Sequence, residues 1–334
     1  MKRLQAYYSK GHKIKYLFAA SAVFCLATLI LGLMLGSTVI SPISFSDAIH
    51  ARILLYVRLP RVLASLVSGA ALAVSGAVIQ GVLANRLASP SIIGVNAGAG
   101  LAVTLGTALG LLGGWQMACI SFMGAFAAVM LIVLGAQKWG ASRGTVILMG
   151  VSLNSLLNAI SSTIVTFHPE IGIMSNDFKV GDLSAVTYGR LIPAAVLSVL
   201  SLILLVALSN ELEILGLGDE NARGLGMNTQ RVRAALLLLA SVLAGCAVML
   251  GGLISFVGLI VPHVVRRLGG IRTKHLLPLS ALVGGGFVTL CDTLARTLFS
   301  PYEIPVGILL AFIGAPFFLF LLLRAKGGRT DDQA

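Results

Sequence analysis

The sequence predicts an all-α membrane protein with ten transmembrane helices. Of its 334 residues, 57% are hydrophobic and only 11% are charged, and the mean hydropathy is +0.97. A soluble core of ordinary size cannot bury that much apolar surface. The apolar residues also form long unbroken runs, whereas the strands of a membrane β-barrel alternate in polarity at every second residue. Together these observations favour a helical bundle within the lipid bilayer.

The first span is predicted close to the N-terminus. Residues 1–15 carry five basic side chains and precede an apolar run at residues 16–36. A helix needs about twenty apolar residues to cross a bilayer. The run is too long for the apolar core of a signal peptide, and no small-residue cleavage site follows it. We therefore expect a cytoplasmic segment at residues 1–15 and the first span at residues 16–36.

Nine further apolar segments complete the predicted bundle. An amphipathic stretch at residues 37–59 comes first, and Pro60 then opens the second span. The nine segments lie at about residues 60–83, 93–112, 116–136, 144–165, 190–209, 233–254, 256–268, 277–298 and 304–323, of which 256–268 is short enough to be extended instead. An even number of spans places both termini on one side. The prediction is a single ten-helix domain at residues 16–324 and a cytoplasmic tail at residues 325–334.

The distribution of basic residues sets the orientation of the bundle. Of the 24 lysines and arginines, 18 fall in the segments predicted to be cytoplasmic and 6 fall on the other side. Lysine and arginine crowd the cytoplasmic loops of membrane proteins, so this asymmetry supports the order of the spans. Trp115 and Trp139 bracket the fourth span as interfacial anchors. The net charge of +12 then reflects orientation and anionic lipid, and requires no nucleic acid partner.

The sequence lacks the residues that chemistry or energy conversion would need. It contains no GxxxxGK[ST] phosphate-binding motif. It also lacks the paired carboxylates, histidine cluster or nucleophile constellation of a membrane-embedded enzyme. Its four cysteines fall singly within apolar runs, which is typical of packing residues. We therefore expect no metal site, no cofactor and no ATPase site in this chain.

Only one carboxylate, Asp292, lies within a predicted span. A carrier driven by protons or sodium ions normally needs ionisable groups at mid-membrane, where a charge costs at least about 2.5–3.5 kcal/mol. Arg296 follows at i+4 on the same helix face and can pair with Asp292. We interpret the two residues as a structural ion pair. An ion-coupled carrier that uses Asp292 stays as the alternative.

Small residues recur at helical spacing in two of the spans. They are Gly69, Ala73, Ala77 and Gly81 in the second span, and Gly94, Gly98, Gly106 and Gly110 in the third. Lipid offers no hydrophobic reward for helix association, so membrane helices pack by close approach at small residues. We predict tight helix packing at these positions, against the alternative that glycine is simply common in membrane helices.

The fifth span carries the clearest polar face. Seven hydrogen-bonding side chains occur within fifteen residues: Ser152, Asn154, Ser155, Asn158, Ser161, Ser162 and Thr166. Uncharged groups of this kind either join helices to one another or line a hydrated passage. Their number favours a passage, and helix association stays as the alternative.

A polar break at residues 210–233 separates the sixth and seventh spans. Asp219 and Asn228 can cap two short helices, and Gly226 can end the first of them. Two interpretations fit this pattern. The break is either an ordinary solvated loop at the membrane surface or a structured elbow that another protein contacts.

Five blocks of sequence resemble the FecCD family, the permease subunits of bacterial ABC importers for iron–siderophore complexes, heme and vitamin B12. They are the block that begins RLPRVLASLV at residues 58–100, GDENARGLG at 218–226, GLISFVGLIVPHVVRRLGG at 252–270, CDTLAR at 291–296 and EIPVGILLAFIGAPFFLFLLLR at 303–324. The blocks keep the family's order and spacing over nearly the whole chain. The resemblance implies a bundle like that of the vitamin B12 importer permease, in the type II ABC importer class.

The resemblance also implies where other subunits meet the chain. The family works as a dimer, here of two copies or of this chain and a paralogous permease, with the passage along the interface. The implied pathway residues are Ser152, Asn154, Ser155, Asn158, Ser161 and Ser162, and the implied cytoplasmic gate is at Ala141 and Ser142. The polar break would supply coupling helices for a cytoplasmic ABC ATPase subunit, which binds the ATP. The implied coupling residues are Asp219, Glu220, Ala222, Arg223, Leu225, Gly226 and Met227.

An extracytoplasmic substrate-binding protein is a further partner implied by the resemblance. The family assigns its docking to arginines that correspond to Arg58, Arg61 and Arg296. For Arg296 the alternative is a structural pair with Asp292 or Glu303, and the two roles are compatible. We expect these side chains to be exposed on the outer side, where a single ion pair contributes about 0–1 kcal/mol, so docking would be reversible and salt-sensitive. His263 sits in a block shared across cargoes, which favours a structural role over heme ligation.

The resemblance predicts the permease subunit of an importer in the bacterial cytoplasmic (inner) membrane, with both termini in the cytoplasm. Iron–siderophore is the expected cargo, with heme or cobalamin as alternatives in the same class. ATP-driven closure of the ATPase subunits would move the coupling helices. That movement would tilt the fifth and tenth spans and open the passage first to one side and then to the other.

Overall fold

The computed structural model describes residues 2–36, 48–268 and 272–327, and every regular element within these ranges is helical. The helices are α1 (Lys2–Met34), α2 (Ala48–Ile53), α3 (Leu59–Val82), α4 (Val95–Ala108), α5 (Gly114–Lys138), α6 (Arg143–Phe167), α7 (Pro169–Met174), α8 (Asn176–Val180), α9 (Tyr188–Ala207), α10 (Ser209–Leu215), α11 (Asp219–Gly224), α12 (Thr229–Gly251), α13 (Val257–Arg267), α14 (Thr273–Ala295) and α15 (Val306–Gly327). A π-helical turn at Leu54–Arg58 joins α2 to α3. Parts of the predicted amphipathic stretch (37–47) and of the predicted tail (328–334) lie outside the described residues.

Each of the ten predicted spans corresponds to a helix. Seven helical stretches of the described chain have the length and hydropathy of a membrane span: Lys13–Met34, Ala51–Val82, Gly114–Lys138, Arg143–Phe167, Tyr188–Ala207, Thr229–Gly251 and Thr273–Ala295. Two more, Val95–Ala108 and Val306–Phe320, are apolar but shorter. The segment predicted at residues 256–268 forms α13, which has 11 residues. The prediction of an all-α membrane bundle is confirmed, with seven helices of full spanning length.

The centre of the bundle is formed by α3, α12 and α14. In α3 and α12, 78% of the 18-residue apolar stretch is buried within the protein, and in α14 the buried share of this stretch is 67%. Helix α3 packs against α12, α13 and α14 at once, which requires an apolar or small surface on every side. Ser75 of α3 donates a hydrogen bond of 2.7 Å to the carbonyl of Ala240 in α12. These helices are the fixed framework against which the others lie.

The backbones of neighbouring helices approach each other closely at several of the predicted small residues, which explains why larger residues do not occur there. A methyl group on Gly69 would lie 2.2 Å from the carbonyl oxygen of Gly284, and one on Gly98 would lie 2.3 Å from that of Gly124. Gly76, which the predicted stripe omits, approaches Gly258 even more closely, at 1.9 Å. Helices α3 and α14, α4 and α5, and α3 and α13 therefore meet backbone to backbone. The predicted packing role is confirmed for Gly69 and Gly98.

Gly94 and Gly110 belong to the predicted stripe but act in another way. Both have positive φ angles, +92° for Gly94 and +75° for Gly110. Gly94 is the N-cap residue of α4, and Gly110 has open space where a side chain would be. Their conformation, which residues with a Cβ rarely adopt, is the reason for glycine at the two ends of α4.

Three helices lie at the periphery of the bundle. The buried share of the 18-residue apolar stretch is only 11% in α1, 17% in α6 and 28% in α9. Helix α1 rests on α14, and α6 rests mainly on α4. Most of the surface of these helices is therefore available to lipid or to another protein chain.

Candidate functional site

Helix α6, the predicted pathway helix, has two polar faces instead of one. On its inner face, the side-chain amide of Asn154 donates to the carbonyls of Ser91 (2.8 Å) and Ile92 (3.2 Å). Further along the same face, the hydroxyls of Ser161 and Thr104 lie 2.9 Å apart. Asn154 and Ser161 thus join α6 to α4 and to the turn before it. For these two residues the contacts support helix association, the alternative left open by the sequence.

The other face of α6 is not covered by any part of the chain that the structure describes. Four of the predicted pathway residues lie on it with exposed side chains: Ser152, Ser155, Asn158 and Ser162. At 3.6 residues per turn, their spacing places them on one stripe along the helix. A helix that faced only lipid would gain nothing from such a stripe. The structure therefore divides the predicted set into two anchoring residues and four outward-facing residues.

The predicted polar break contains two short helices, α10 and α11, of which only α11 corresponds to a predicted one. We call α10 and α11 the coupling elbow. Gly226 has φ +81°, its amide donates to the carbonyl of Arg223, and the amide of Met227 donates to that of Ala222. This is the Schellman arrangement that ends a helix. Asn228 caps α12 by accepting from the amide of Arg231 at 3.1 Å. The predicted role of Gly226 is confirmed. Asn228 is a helix cap as predicted, but the helix that it caps is the long span α12 and not a second short helix. The elbow is a folded element.

The predicted capping role of Asp219 is wrong. The N-cap residue of α11 is Gly218, with φ +108°, and Asp219 is the first residue of the helix. The carboxylate of Asp219 is occupied instead by two arginines from other elements, Arg143 and Arg233. Two strong cationic donors compete successfully with a single backbone amide for the same oxygens.

The remaining coupling residues differ in exposure. Ala222 is fully buried and fixes α11 to the bundle, and Met227 is half-buried. Glu220, Arg223, Gly226 and Leu225 are exposed, the last at 67%. Leu217, just before α11, is 60% exposed. A pair of large apolar side chains on a charged, structured elbow is typical of a protein-binding surface.

Asp219 is the centre of an ion-pair network on the side predicted to be cytoplasmic. Its Oδ1 accepts from Arg143 Nη2 at 2.8 Å and Nε at 3.1 Å, and its Oδ2 accepts from Arg233 Nη2 at 2.6 Å. Burial acts to raise the pKa of Asp219, but the hydrogen bonds from Arg233 and Arg143 outweigh it and hold the pKa below its ordinary value. The carboxylate is therefore ionised at neutral pH.

The predicted gate residues lie in the loop between α5 and α6, beside this network. The hydroxyl of Ser142 accepts from the amide of Thr145 at 3.2 Å and so caps α6. The carbonyl of Ala141 accepts from Arg233 Nη1 at 3.2 Å. The structure brings these two residues next to the coupling elbow. Their role as a gate stays a prediction.

The three predicted docking arginines are buried, which corrects the expectation that they are exposed. Arg58, Arg61 and Arg296 are 4%, 5% and 3% exposed. Arg58 Nη1 donates to the carbonyls of Leu33 (3.1 Å) and Met34 (3.0 Å), and Arg296 Nη2 donates to that of Gly32. The C-terminal carbonyls of α1 lack intrahelical partners, so these arginines fix the end of α1 to the bundle.

Arg61 makes the closest ion pairs of the same cluster. Its Nε lies 3.1 Å from both carboxylate oxygens of Asp292, and its Nη1 lies 2.6 Å from Glu303. The predicted pair of Asp292 and Arg296 is present at 3.8 Å, so that prediction is confirmed, but Arg61 is the closer partner. Burial arises because α1, α3 and α14 converge at this point. Docking through these arginines stays a prediction.

Sequence reasoning did not predict the ion pairs that Arg143, Arg233 and Glu303 make, although Arg143 adjoins the predicted gate and Glu303 is a candidate partner of Arg296. Each of the three lies at the edge of an apolar run, which is also where ordinary solvated charges occur. Their partners are 76, 14 and 242 positions away. No local pattern in the sequence could have indicated these pairs.

Residues 24–324 match the family model described as the FecCD transport family. The chain belongs to the FecCD transport family. Its relatives include the Fe(3+)-citrate import system permease protein YfmD of Bacillus subtilis, which is 37% identical over 269 residues, 80% of each chain. The vitamin B12 import system permease protein BtuC of Vibrio vulnificus is 36% identical over 324 residues, 94% of this chain and 97% of the relative.

The solved structures include a neighbour of nearly the same extent. A transporter described as being of the metal-chelate ABC type, in an inward-facing conformation, superposes with a TM-score of 0.82 at 30% identity. The match covers 93% of this chain and 99% of that chain. The resemblance inferred from five blocks is confirmed. The chain is a multi-pass membrane permease of the ABC importer class.

Proposed function

We propose that this FecCD chain pairs with a second permease chain, either a copy of itself or a paralogue, and that the passage for cargo runs between them. The observation that carries the proposal is the uncovered polar stripe of α6 at Ser152, Ser155, Asn158 and Ser162. A second chain would cover this stripe and enclose it from lipid. Neutral hydroxyl and amide groups would then hydrate the passage without binding the cargo tightly.

The chain has a surface suited to a cytoplasmic ABC ATPase subunit. The exposed residues of α11 and of the turns beside it combine charge with the apolar side chains of Leu217 and Leu225. The chain carries no phosphate-binding motif, so ATP would bind to the partner, and this chain would need no cofactor. Closure of the ATPase subunits would move α11 and tilt α6 and α15, which alternates access to the passage.

The opposite side of the bundle would receive an extracytoplasmic substrate-binding protein. The cluster around Arg61 lies there in the orientation given by the basic residues. Glu303 is the most accessible member of that cluster, with 37% of its side chain exposed. We propose that both termini lie in the cytoplasm, which the distribution of basic residues supports, and that the protein lies in the cytoplasmic membrane of a bacterium.

The cargo we propose is an iron–siderophore complex. The support is that one relative, YfmD, is named as an Fe(3+)-citrate permease, and a solved neighbour is of the metal-chelate type. Another relative is named for vitamin B12, so heme or cobalamin is the alternative cargo in the same class. The uncharged passage has few means of selecting among these, and selection would lie in the binding protein.

Reconstitution into liposomes tests the proposal. The permease would be inserted with and without its ATPase partner, and uptake of a radiolabelled iron–siderophore complex would be measured with the binding protein outside. We expect uptake against a gradient only when ATP and the ATPase subunit are both present. Accumulation by the permease alone would overturn the proposal and would favour an ion-coupled carrier.

A further inference from the structure

One carboxylate joins three elements that the proposed transport cycle must move relative to one another. Asp219 is the first residue of α11, Arg143 is the first residue of α6, and Arg233 lies in the first turns of α12. Each carboxylate oxygen of Asp219 has a different arginine as its partner. The coupling elbow, the start of the pathway helix and the central framework therefore meet at a single side chain.

Further hydrogen bonds close the network into a ring. Arg143 Nη2 also donates to the carbonyl of Leu215 at 2.5 Å, which ties α6 to the end of α10. Arg233 Nη1 also donates to the carbonyl of Ala141 at 3.2 Å, which ties α12 to the loop before α6. The loop between α5 and α6 is thus held from both sides. It can move independently of α10 and α12 only if these bonds break.

The two arginines differ in how firmly the protein holds them. The side chain of Arg233 is 7% exposed and that of Arg143 is 17% exposed. Arg233 belongs to α12, which is one of the most buried helices, whereas α6 is among the least buried. When α11 is displaced, α12 would therefore stay in place and the start of α6 would move.

We propose that Asp219 is a positioning residue that transmits displacement of the coupling elbow to the start of α6 through Arg143, with Arg233 as the fixed support. This inference rests on the proposed function and assigns the connection between ATP hydrolysis and the passage to three named side chains. Guanidinium groups suit such a connection because several of their donors engage at once in a fixed geometry.

The experiment measures the ratio of cargo transported to ATP hydrolysed, which we call the transport ratio or simply the ratio, in reconstituted complexes that have assembled normally. Asp219→Asn keeps the shape of the side chain and removes its charge, and Arg143→Gln breaks the same link from the other side. A coupling free energy of 1–3 kcal/mol corresponds to about a 5-fold to 150-fold change, so we expect each variant to lower the ratio about fivefold or more. Asp219→Glu keeps the carboxylate and should retain most of the ratio.

Two comparisons separate transmission from mere structural support. The double variant Asp219→Asn with Arg143→Gln should lower the ratio no further than either single change, because both interrupt one link. Lys138→Gln removes an exposed positive charge at the end of α5 and should leave the ratio unchanged. A purely structural role would reduce the yield of assembled complex but not the ratio within it.

The outcomes also distinguish this inference from the proposed function. A wild-type ratio in assembled Asp219→Asn or Arg143→Gln complexes would overturn the inference while the ATP-dependent function stood. Additive losses in the double variant would also overturn it. Uptake that is independent of ATP in the wild-type complex would instead overturn the proposed function.

Discussion

Nε of Arg61 lies 3.1 Å from both carboxylate oxygens of Asp292, although 231 positions separate the two residues in the sequence. Both side chains are buried, at 7% and 1% exposure. The pair fastens the first turn of α3 to the last turns of α14, and Arg296 lies beside the same carboxylate. A lone carboxylate within a span has therefore been neutralised by arginines from two helices.

Removal of this carboxylate should destabilise the protein. Asp292→Ala leaves Arg61 and Arg296 buried without their main counter-charge, and breaking a buried pair in this way costs about 3–5 kcal/mol. We expect a large drop in thermal stability of the detergent-purified protein, measured by an unfolding assay. Asp177→Asn changes an exposed carboxylate and should shift stability by no more than about 0.5 kcal/mol.

The same variant series distinguishes a structural pair from an energy-coupling residue. Asp292→Asn keeps hydrogen-bonding capacity, and any protein that folds should retain ATP-dependent uptake. A well-folded Asp292→Asn protein that has lost uptake altogether would contradict the structural interpretation and would favour the ion-coupled carrier.

The affinity of the binding protein should change when Glu303, which accepts a hydrogen bond from Arg61 Nη1, is replaced. Glu303→Gln would remove the negative charge beside Arg61 Nη1, so an acidic group of the partner would compete better for that donor, and it would leave the buried pair with Asp292 intact. Since an exposed ion pair contributes about 0–1 kcal/mol, we expect affinity to rise by up to about fivefold at low salt. Biolayer interferometry over a range of salt concentrations would measure this change. Unchanged or weaker binding would argue against docking at Arg61.

Gly76 should be the least replaceable glycine of α3. A methyl group there would lie 1.9 Å from the carbonyl oxygen of Gly258, so Gly76→Ala must push α3 and α13 apart. Overpacking of this kind costs about 1–3 kcal/mol or more, and the melting temperature should fall. Gly100→Ala is the matched control, because the nearest atom would be 3.9 Å away. That change should be neutral or stabilising by up to about 1 kcal/mol. Equal effects at both positions would disprove the packing argument.

The helical bundle could be predicted from the sequence because lipid imposes a strong local rule. A segment that crosses the membrane must be apolar and helical over a fixed length, and both properties can be read from a short window. Gly226 and Asn228 were equally predictable, since helix ends depend on the residues at the end itself. These features need no knowledge of what the segment packs against.

The charge clusters could not be predicted in the same way. Whether Arg61 is exposed depends on where α1 and α14 lie. The sequence around Arg61 is typical of the basic residues that flank any membrane span. Asp219 had a local explanation as a helix cap, yet Arg143 and Arg233 come from other elements and displace the backbone amide. For α6, the polar residues are evident from the sequence, but nothing in the sequence separates Asn154 and Ser161, which contact α4 and the turn before it, from those facing outward.

The division of α6 into two faces makes a direct prediction for the second permease chain. In a background with the four native cysteines replaced, Ser155→Cys and Ser162→Cys lie on the uncovered face and should form cross-linked dimers in membranes if two copies of this chain meet there. Ser161→Cys is the control one position away, because Ser161 faces Thr104 within the same chain. It should give no cross-link under the same oxidising conditions.

Cross-linking at Ser161 equal to that at Ser162 would mean that the two faces are not distinct. A paralogous partner would abolish the cross-links between copies at both positions. The outward stripe would then be tested by pairing Ser162→Cys with a cysteine in the paralogue's corresponding helix.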